Sequence, residues 1–188
     1  MLLHRISAGW ARVELFCAAV LAAVVTCLIL LNVVTRSLRM PIYWVDEAAI
    51  YAMVCMTFLA ASAAIERREA ISVTLFVDMV RPALARLLWL FVDAVTLLFA
   101  GLMLWFCWIW FQPAELIAAG FDLRAFRGAT FNFIYAEPTS TLGIRKYWVW
   151  LVMPAFAAGF ALHALSNLVK SLRGQVPGAG DVATEGGS

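Results

Sequence analysis

The chain has 188 residues, 64% of them hydrophobic, with a mean hydropathy of +0.89 and a formal net charge of +2. So apolar a chain has too little polar surface to cover a water-soluble core of its size, and so small a charge gives no electrostatic footprint for nucleic acid. The four cysteines, Cys17, Cys27, Cys55 and Cys107, all fall in apolar runs, where a thiol packs as a small apolar group, so no external disulfide is expected.

In chain order, residues 13–34, 44–65, 87–111 and 147–169 form apolar runs of about 22 to 25 residues. A helix rising 1.5 Å per residue needs roughly 20 to cross the hydrocarbon core of a bilayer. The predicted fold class is therefore all-α, an integral membrane protein with four transmembrane helices over residues 1–173. The Gly-, Ala- and Pro-containing tail, residues 174–188, is expected to be disordered.

His4, Arg5 and Arg12 precede the first run as they would in a signal peptide. That run is longer than the about 7 to 15 residues of a cleaved signal, and Asn32, Thr35 and Arg36 form no small-x-small site, so a retained signal-anchor is expected. Glu14 reads as a wet carboxylate at the very start of this helix, favoured by the helix dipole. Small residues four apart, Ala18 and Ala22, Ala19 and Ala23, Ala60 and Ala64, and Ala155 and Gly159, predict close helix contacts.

The second run opens with Pro41, Trp44, Asp46, Glu47 and Tyr51, with Tyr51 one turn from Glu47 on the same face. It ends in Glu66, Arg67, Arg68 and Glu69. The stretch from Ile71 to Val80 is too short to span and is flanked by Arg67, Arg68, Arg81 and Arg86, which predicts an interfacial segment between helices 2 and 3. Pro82 suits the first turn of the helix that follows.

In the third run Asp93 shares a face with Arg86 and Trp89. An intramembrane acid is a functional candidate by default, but this one lies near enough to the helix end to reach Arg86 or headgroup water, which reads as a structural contact. Trp89, Phe91, Phe99, Trp105, Phe106, Trp108 and Trp110 read as interfacial anchors near the ends and as partner contacts nearer the centre.

The connection from Gln112 to Lys146 is long and carries Phe121, Phe126, Phe131, Phe133, Ile134 and Tyr135, which are costly to leave in water. Arg124 and Arg127 share a face if residues 114–127 are helical. In the last run Pro154 predicts a kink, and His163 and Asn167 read as interhelical hydrogen-bond formers.

Lys and Arg divide eight to six between the two ends: Arg5, Arg12, Arg67, Arg68, Arg81, Arg86, Lys170 and Arg173 against Arg36, Arg39, Arg124, Arg127, Arg145 and Lys146. The short flanking segments weigh most, so both termini are expected in the cytoplasm. Chemistry-bearing residues are few. A single intramembrane histidine cannot supply the paired axial ligands of a b-type haem, no loop carries a cysteine pair, and no set of zinc ligands shares a depth. No enzymatic activity, cofactor or metal is expected.

Two segments carry a wider pattern. The first is Trp44, Asp46, Glu47 and Tyr51, then Thr57 to Ala64 and the basic turn at Arg67. The second is Leu142-Gly-Ile-Arg-Lys-Tyr-Trp148, running on to Pro154. Their order resembles the small membrane subunit of tripartite ATP-independent periplasmic (TRAP) transporters, the DctQ-like family, over roughly residues 10 to 172. The chain departs from that family's pattern at Ala70, where many members have His, at Arg145, where Pro is usual, and in its long outer connection.

The resemblance implies a multi-pass protein of the bacterial inner membrane that braces a large, DctM-like subunit. That partner, supplied by a periplasmic solute-binding protein, would move an organic acid-type solute by sodium symport, with the sodium site in the large subunit. Membrane lipid completes the expected partners. Arg36, Trp44, Asp46, Glu47, Tyr51, Arg67, Asp93, Arg124, Arg127, Gly143 and Trp148 are the candidate partner-contact or structural residues. Two other readings stand beside it: an anchor or scaffold for an unrelated complex, and a small autonomous multidrug-type exporter, for which Asp93 would be the acidic group.

Overall fold

The computed structural model describes residues 2–68 and 81–175. The helices are α1 (Leu2–Ser37), α2 (Tyr43–Arg67), α3 (Pro82–Phe111), α4 (Pro113–Ala118), α5 (Leu123–Thr130), α6 (Tyr147–Trp150) and α7 (Val152–Leu172). No strand is present among the described residues, and four helical stretches are long and apolar enough to cross a membrane. The interfacial segment expected at Ile71 to Val80 and the tail beyond Gln175 lie outside the described residues.

Helix ends follow local chemistry. Arg81 is extended at ψ 147° and Pro82 opens α3, where its missing N–H costs nothing because the first turn has no intrahelical acceptor for it. At the other end Gln112 turns left-handed at φ 44° ahead of Pro113, which begins α4. Residues 114–127, considered above as one helix for the face shared by Arg124 and Arg127, form two, because Gly120 and Phe121 both adopt positive φ, 60° and 63°. Asp122 then caps α5, its Oδ1 accepting from the Arg124 and Ala125 amides at 2.8 and 3.4 Å.

The expected irregularity at Pro154 appears one turn earlier. A proline N cannot donate to the carbonyl four residues back, which is that of Trp150. The helix breaks at Leu151 between α6 and α7, with the Ala155 amide reaching the Leu151 carbonyl at 3.3 Å.

α1 runs well beyond its apolar core: 36 residues span about 54 Å at 1.5 Å each, against about 30 Å of hydrocarbon. Residues 2–12, which precede the first apolar run, are therefore the opening turns of α1. The packing order is α1 on α2, α2 on α7 and α3 on α7, with α1 also touching α7. α7 is the hub, packing on all three other long helices and burying residues from Phe156 to Ser171.

The outer connection folds back on this frame. Phe126, Ile134 and Tyr135 are buried against Cys107, Phe111 and Ala157, whereas Phe121, Phe131 and Phe133 stay exposed. The Tyr135 hydroxyl donates to the Phe111 carbonyl at 2.6 Å, and burial pushes this phenol's pKa up, so it stays a donor at neutral pH. Phe126 is the largest fully buried side chain among the described residues, so Phe126→Ala should cost about 3 to 5 kcal/mol. The expected outcome is a lower melting temperature in detergent and faster proteolysis between residues 113 and 146.

Candidate functional site

The residues that carry the sequence pattern meet at the end of the bundle far from the N-terminus, its outer end, the inner end being the one at which α1 begins. Pro138 and Arg145 form an isolated antiparallel bridge, and the Thr139 amide donates to the Ile144 carbonyl at 2.7 Å. Gly143 closes the turn at φ 71°, a conformation that costs a residue with a Cβ. The turn presents three successive amides to Glu47. Its carboxylate accepts from Ser140 N at 2.8 Å, Thr141 N at 2.6 Å, Leu142 N at 3.1 Å and the Thr141 hydroxyl at 2.6 Å. Tyr51 donates from within α2 at 3.0 Å.

Consecutive amides of this kind form an anion-binding concavity, here filled by the protein's own carboxylate. Asp46, the neighbouring acid, ties α2 to α1 instead. Arg36 Nη2 is 2.7 Å from its Oδ2, Asn32 donates to its Oδ1, and Asn32 Oδ1 in turn accepts from Arg36 Nε at 3.0 Å. Lys146 pairs with Glu137 at 2.7 Å, and that hydrogen bond holds the ammonium above its usual range. Asp46 and Glu47 therefore fasten two different connections to the start of one helix.

A second polar group lies within the bundle. Glu14 Oε1 accepts from Trp10 Nε1 and from the Ser62 hydroxyl, both at 2.8 Å, and Glu14 Oε2 is 2.9 Å from His163 Nε2. The other ring nitrogen of His163 is 2.8 Å from the Ser7 hydroxyl. Glu14 is only 2% exposed, so the wet helix-start carboxylate expected from the sequence is corrected: α1 begins at Leu2, which puts Glu14 more than three turns in and between α2 and α7. Gly159 makes room for this group. A Cβ there would overlap Glu14 Oε1 and lie 2.8 Å from Trp10 Nε1 and 2.9 Å from Ser62 Oγ.

A third group closes the inner end. Arg68, the left-handed C-cap of α2, reaches Asp93 Oδ2, the Asn167 carbonyl and the Ser171 hydroxyl, each at 2.8 Å, and its guanidinium lies 4.7 Å above the Trp89 ring. Ser171 also donates to Asp93, and Asn167 Nδ2 donates to the Ile65 carbonyl at 2.6 Å. The partner of Asp93 is thus Arg68 rather than Arg86, whose Nη2 instead donates to the Leu172 carbonyl at 3.2 Å. Trp89, read from the sequence as an interfacial anchor, is buried beneath Arg68.

Of the other candidate residues, Trp44 and Trp148 are exposed, with Trp148 stacked on Tyr147 at 4.8 Å between centroids. Arg67 ends α2 with its side chain exposed. Arg124 and Arg127 stand one turn apart on α5 and line a groove with Arg145. Sequence reasoning missed Ser7, Ser62, Arg68, Ser171 and the amides of residues 140–142. The only sequence signal for the serines was their position in otherwise apolar helices, and backbone amides leave none. Among the described residues no group of three or more His, Cys, Asp or Glu is placed to hold a metal ion.

Two outcomes follow from these contacts. Glu47→Gln replaces an acceptor with a donor facing amides, so hydrogen exchange at Ser140, Thr141 and Leu142 should speed up while exchange in α5 is unchanged. Gly159→Ala should destabilise the bundle by about 1 to 3 kcal/mol through overpacking, whereas Ala158→Val on the exposed neighbouring face should leave the detergent melting temperature within error.

Comparison with known proteins places both outer-end motifs and all but the first part of α1 within one family model, described as tripartite ATP-independent periplasmic transporters, DctQ component, which matches residues 25–174. No curated protein and no solved structure matches the chain. A match over this share of the sequence, on a frame of four helices able to span a membrane, decides the family: the chain belongs to the DctQ component family of tripartite ATP-independent periplasmic transporters.

Proposed function

We propose that this protein is the small subunit that braces a large, DctM-like transport subunit and carries no solute site of its own. The carrying observation is that the deeply buried ionisable side chains, Glu14, Asp93 and His163, are each engaged by another side chain of the same chain. A solute site would need polar groups left available to the solute. The hydrogen bonds of Glu14, His163 and Asp93 instead join helices to one another.

The outward face supports the same reading. α3 leaves Phe91, Leu98, Trp105, Phe106 and Trp108 exposed, and α1 does the same with Phe16, Ile29 and Leu30. Such surface is at home against lipid or another membrane helix. The bundle would thus stand beside a transport subunit in the bacterial inner membrane, with both termini cytoplasmic and Glu47 towards the periplasm. There the assembly would meet a solute-binding protein and take up an organic acid-type solute with sodium. The sodium and solute sites belong to the large subunit, and the chain needs no cofactor and catalyses no reaction.

The test is reconstitution. Large subunit and binding protein with this chain should give sodium-dependent uptake, and without it uptake should fall to background as the large subunit loses thermal stability in detergent. Equal uptake with and without the chain would overturn the bracing role. Uptake or efflux by this chain alone would favour the autonomous exporter.

A further inference from the structure

Arg124, Arg127 and Arg145 line one groove of about 550 Å³ at the outer end, together with Phe121, Asp122 and Ala136. At the same end Arg36 and Lys146 are paired with Asp46 and Glu137, but no carboxylate among the described residues forms a salt bridge with any of these three arginines. Asp122 spends its Oδ1 on the α5 cap. Three guanidinium groups facing one concavity make a site for an oxyanion, since the guanidinium fork matches phosphate oxygens in pairs.

The depth of the groove selects among oxyanions. Asn132 Nδ2 donates to the Trp110 carbonyl at 2.9 Å, and the Tyr135 hydroxyl reaches the Phe111 carbonyl at 2.6 Å. The outer connection is therefore pinned to the last turn of α3, where the apolar span ends. Phe131 and Phe133, either side of Asn132, are 82% and 59% exposed, and Phe121 on the groove itself is 68% exposed. Aromatic rings at this level belong in the headgroup layer rather than in open water. The groove is thus both basic and at lipid-headgroup depth.

We propose that this groove binds the headgroup of an anionic phospholipid, with the phosphodiester held by Arg124, Arg127 and Arg145 and the acyl chains passing Phe121 into the bilayer. Asp122 at the rim refines the ligand. Its negative charge opposes a dianionic free phosphate but tolerates a monoanionic diester, and its Oδ2 can accept from a hydroxyl, which points to a polyol headgroup such as that of phosphatidylglycerol. The lipid would bridge α5 and the hairpin that holds Glu47, fastening the outer cap to the membrane surface.

The test uses the purified full chain in detergent, titrated with phosphatidylglycerol, phosphatidylcholine or sodium phosphate and read by native mass spectrometry. Phosphatidylglycerol should be retained at least about tenfold better than phosphatidylcholine, and the triple variant Arg124→Gln/Arg127→Gln/Arg145→Gln should lose that preference. Arg39→Gln, an outer-end cation away from the groove, should keep it. Because Arg127 Nε also donates to the Leu123 carbonyl at 3.1 Å and so helps hold α5, the double variant Arg124→Gln/Arg145→Gln is the second reading and should lose most of the preference with that bond intact.

Equal lipid retention by wild type and both variants would overturn the proposal. So would displacement of phosphatidylglycerol by an equal concentration of sodium phosphate, which would make the groove a free-anion site. Displacement by an acidic peptide would make it a protein-docking surface and would overturn it too. The measurement is made on this chain alone, so its failure leaves the bracing role untouched.

Discussion

The bundle depends on the polar groups of α7. In lipid, apolar side chains gain little by meeting one another, because the acyl chains they leave are equally apolar. Hydrogen bonds between helices therefore weigh more in deciding which helices meet. α7 supplies His163, Asn167 and Ser171, and each finds its partner on a different neighbour: Glu14 and Ser7 on α1, the Ile65 carbonyl on α2, and Asp93 on α3. A single interhelical hydrogen bond in a membrane averages only about 0.6 kcal/mol. Breaking a buried charged pair by removing one partner is far costlier, about 3 to 5 kcal/mol, because the other charge is left stranded. Once formed, the arrangement is therefore hard to vary piecemeal.

The two ends of α2 use a different device. At the inner end Arg68 is a C-cap in the left-handed region, which swings its side chain back over the bundle to Asp93 and Trp89. At the outer end two adjacent carboxylates divide their work, Asp46 toward α1 and Glu47 toward the turn before α6. Because successive residues on a helix point about 100° apart, an acid pair at a helix start can hold two separate segments at once. This gives a physical reason for an acid pair in α2 and a Leu-Gly turn nearly a hundred residues later to belong to one pattern.

With its polar side chains drawn inward, the bundle shows a largely apolar exterior to its surroundings, interrupted only at the two ends. The exposed surface of α1 carries the small residues Ala19 and Ala23, whereas α3 exposes rings of Trp and Phe. α1 also exposes Phe16, Ile29 and Leu30, so both outer helices offer a broad apolar surface on a frame that internal hydrogen bonds tie together.

The sequence by itself determined the helical membrane fold, the four spans and the family, because length and hydropathy suffice to recognise a helix that can cross a bilayer, and because the order of Trp44, Asp46, Glu47, Tyr51 and the Leu142 turn survives in one dimension. It also indicated the Tyr51 to Glu47 contact, which lies within one helical turn. Contacts within a turn follow from helical periodicity alone. What only the tertiary structure decided were the partners across helices. Glu14 looked like a surface carboxylate because the polar residues before it hid the true start of α1, and its burial depends on Gly159, distant in sequence, leaving space for it. Asp93 chose Arg68 over the nearer Arg86 because the end of α2, not the register of α3, faces it. The amides that bind Glu47 belong to every residue alike, so only the folded turn at Gly143 could single them out.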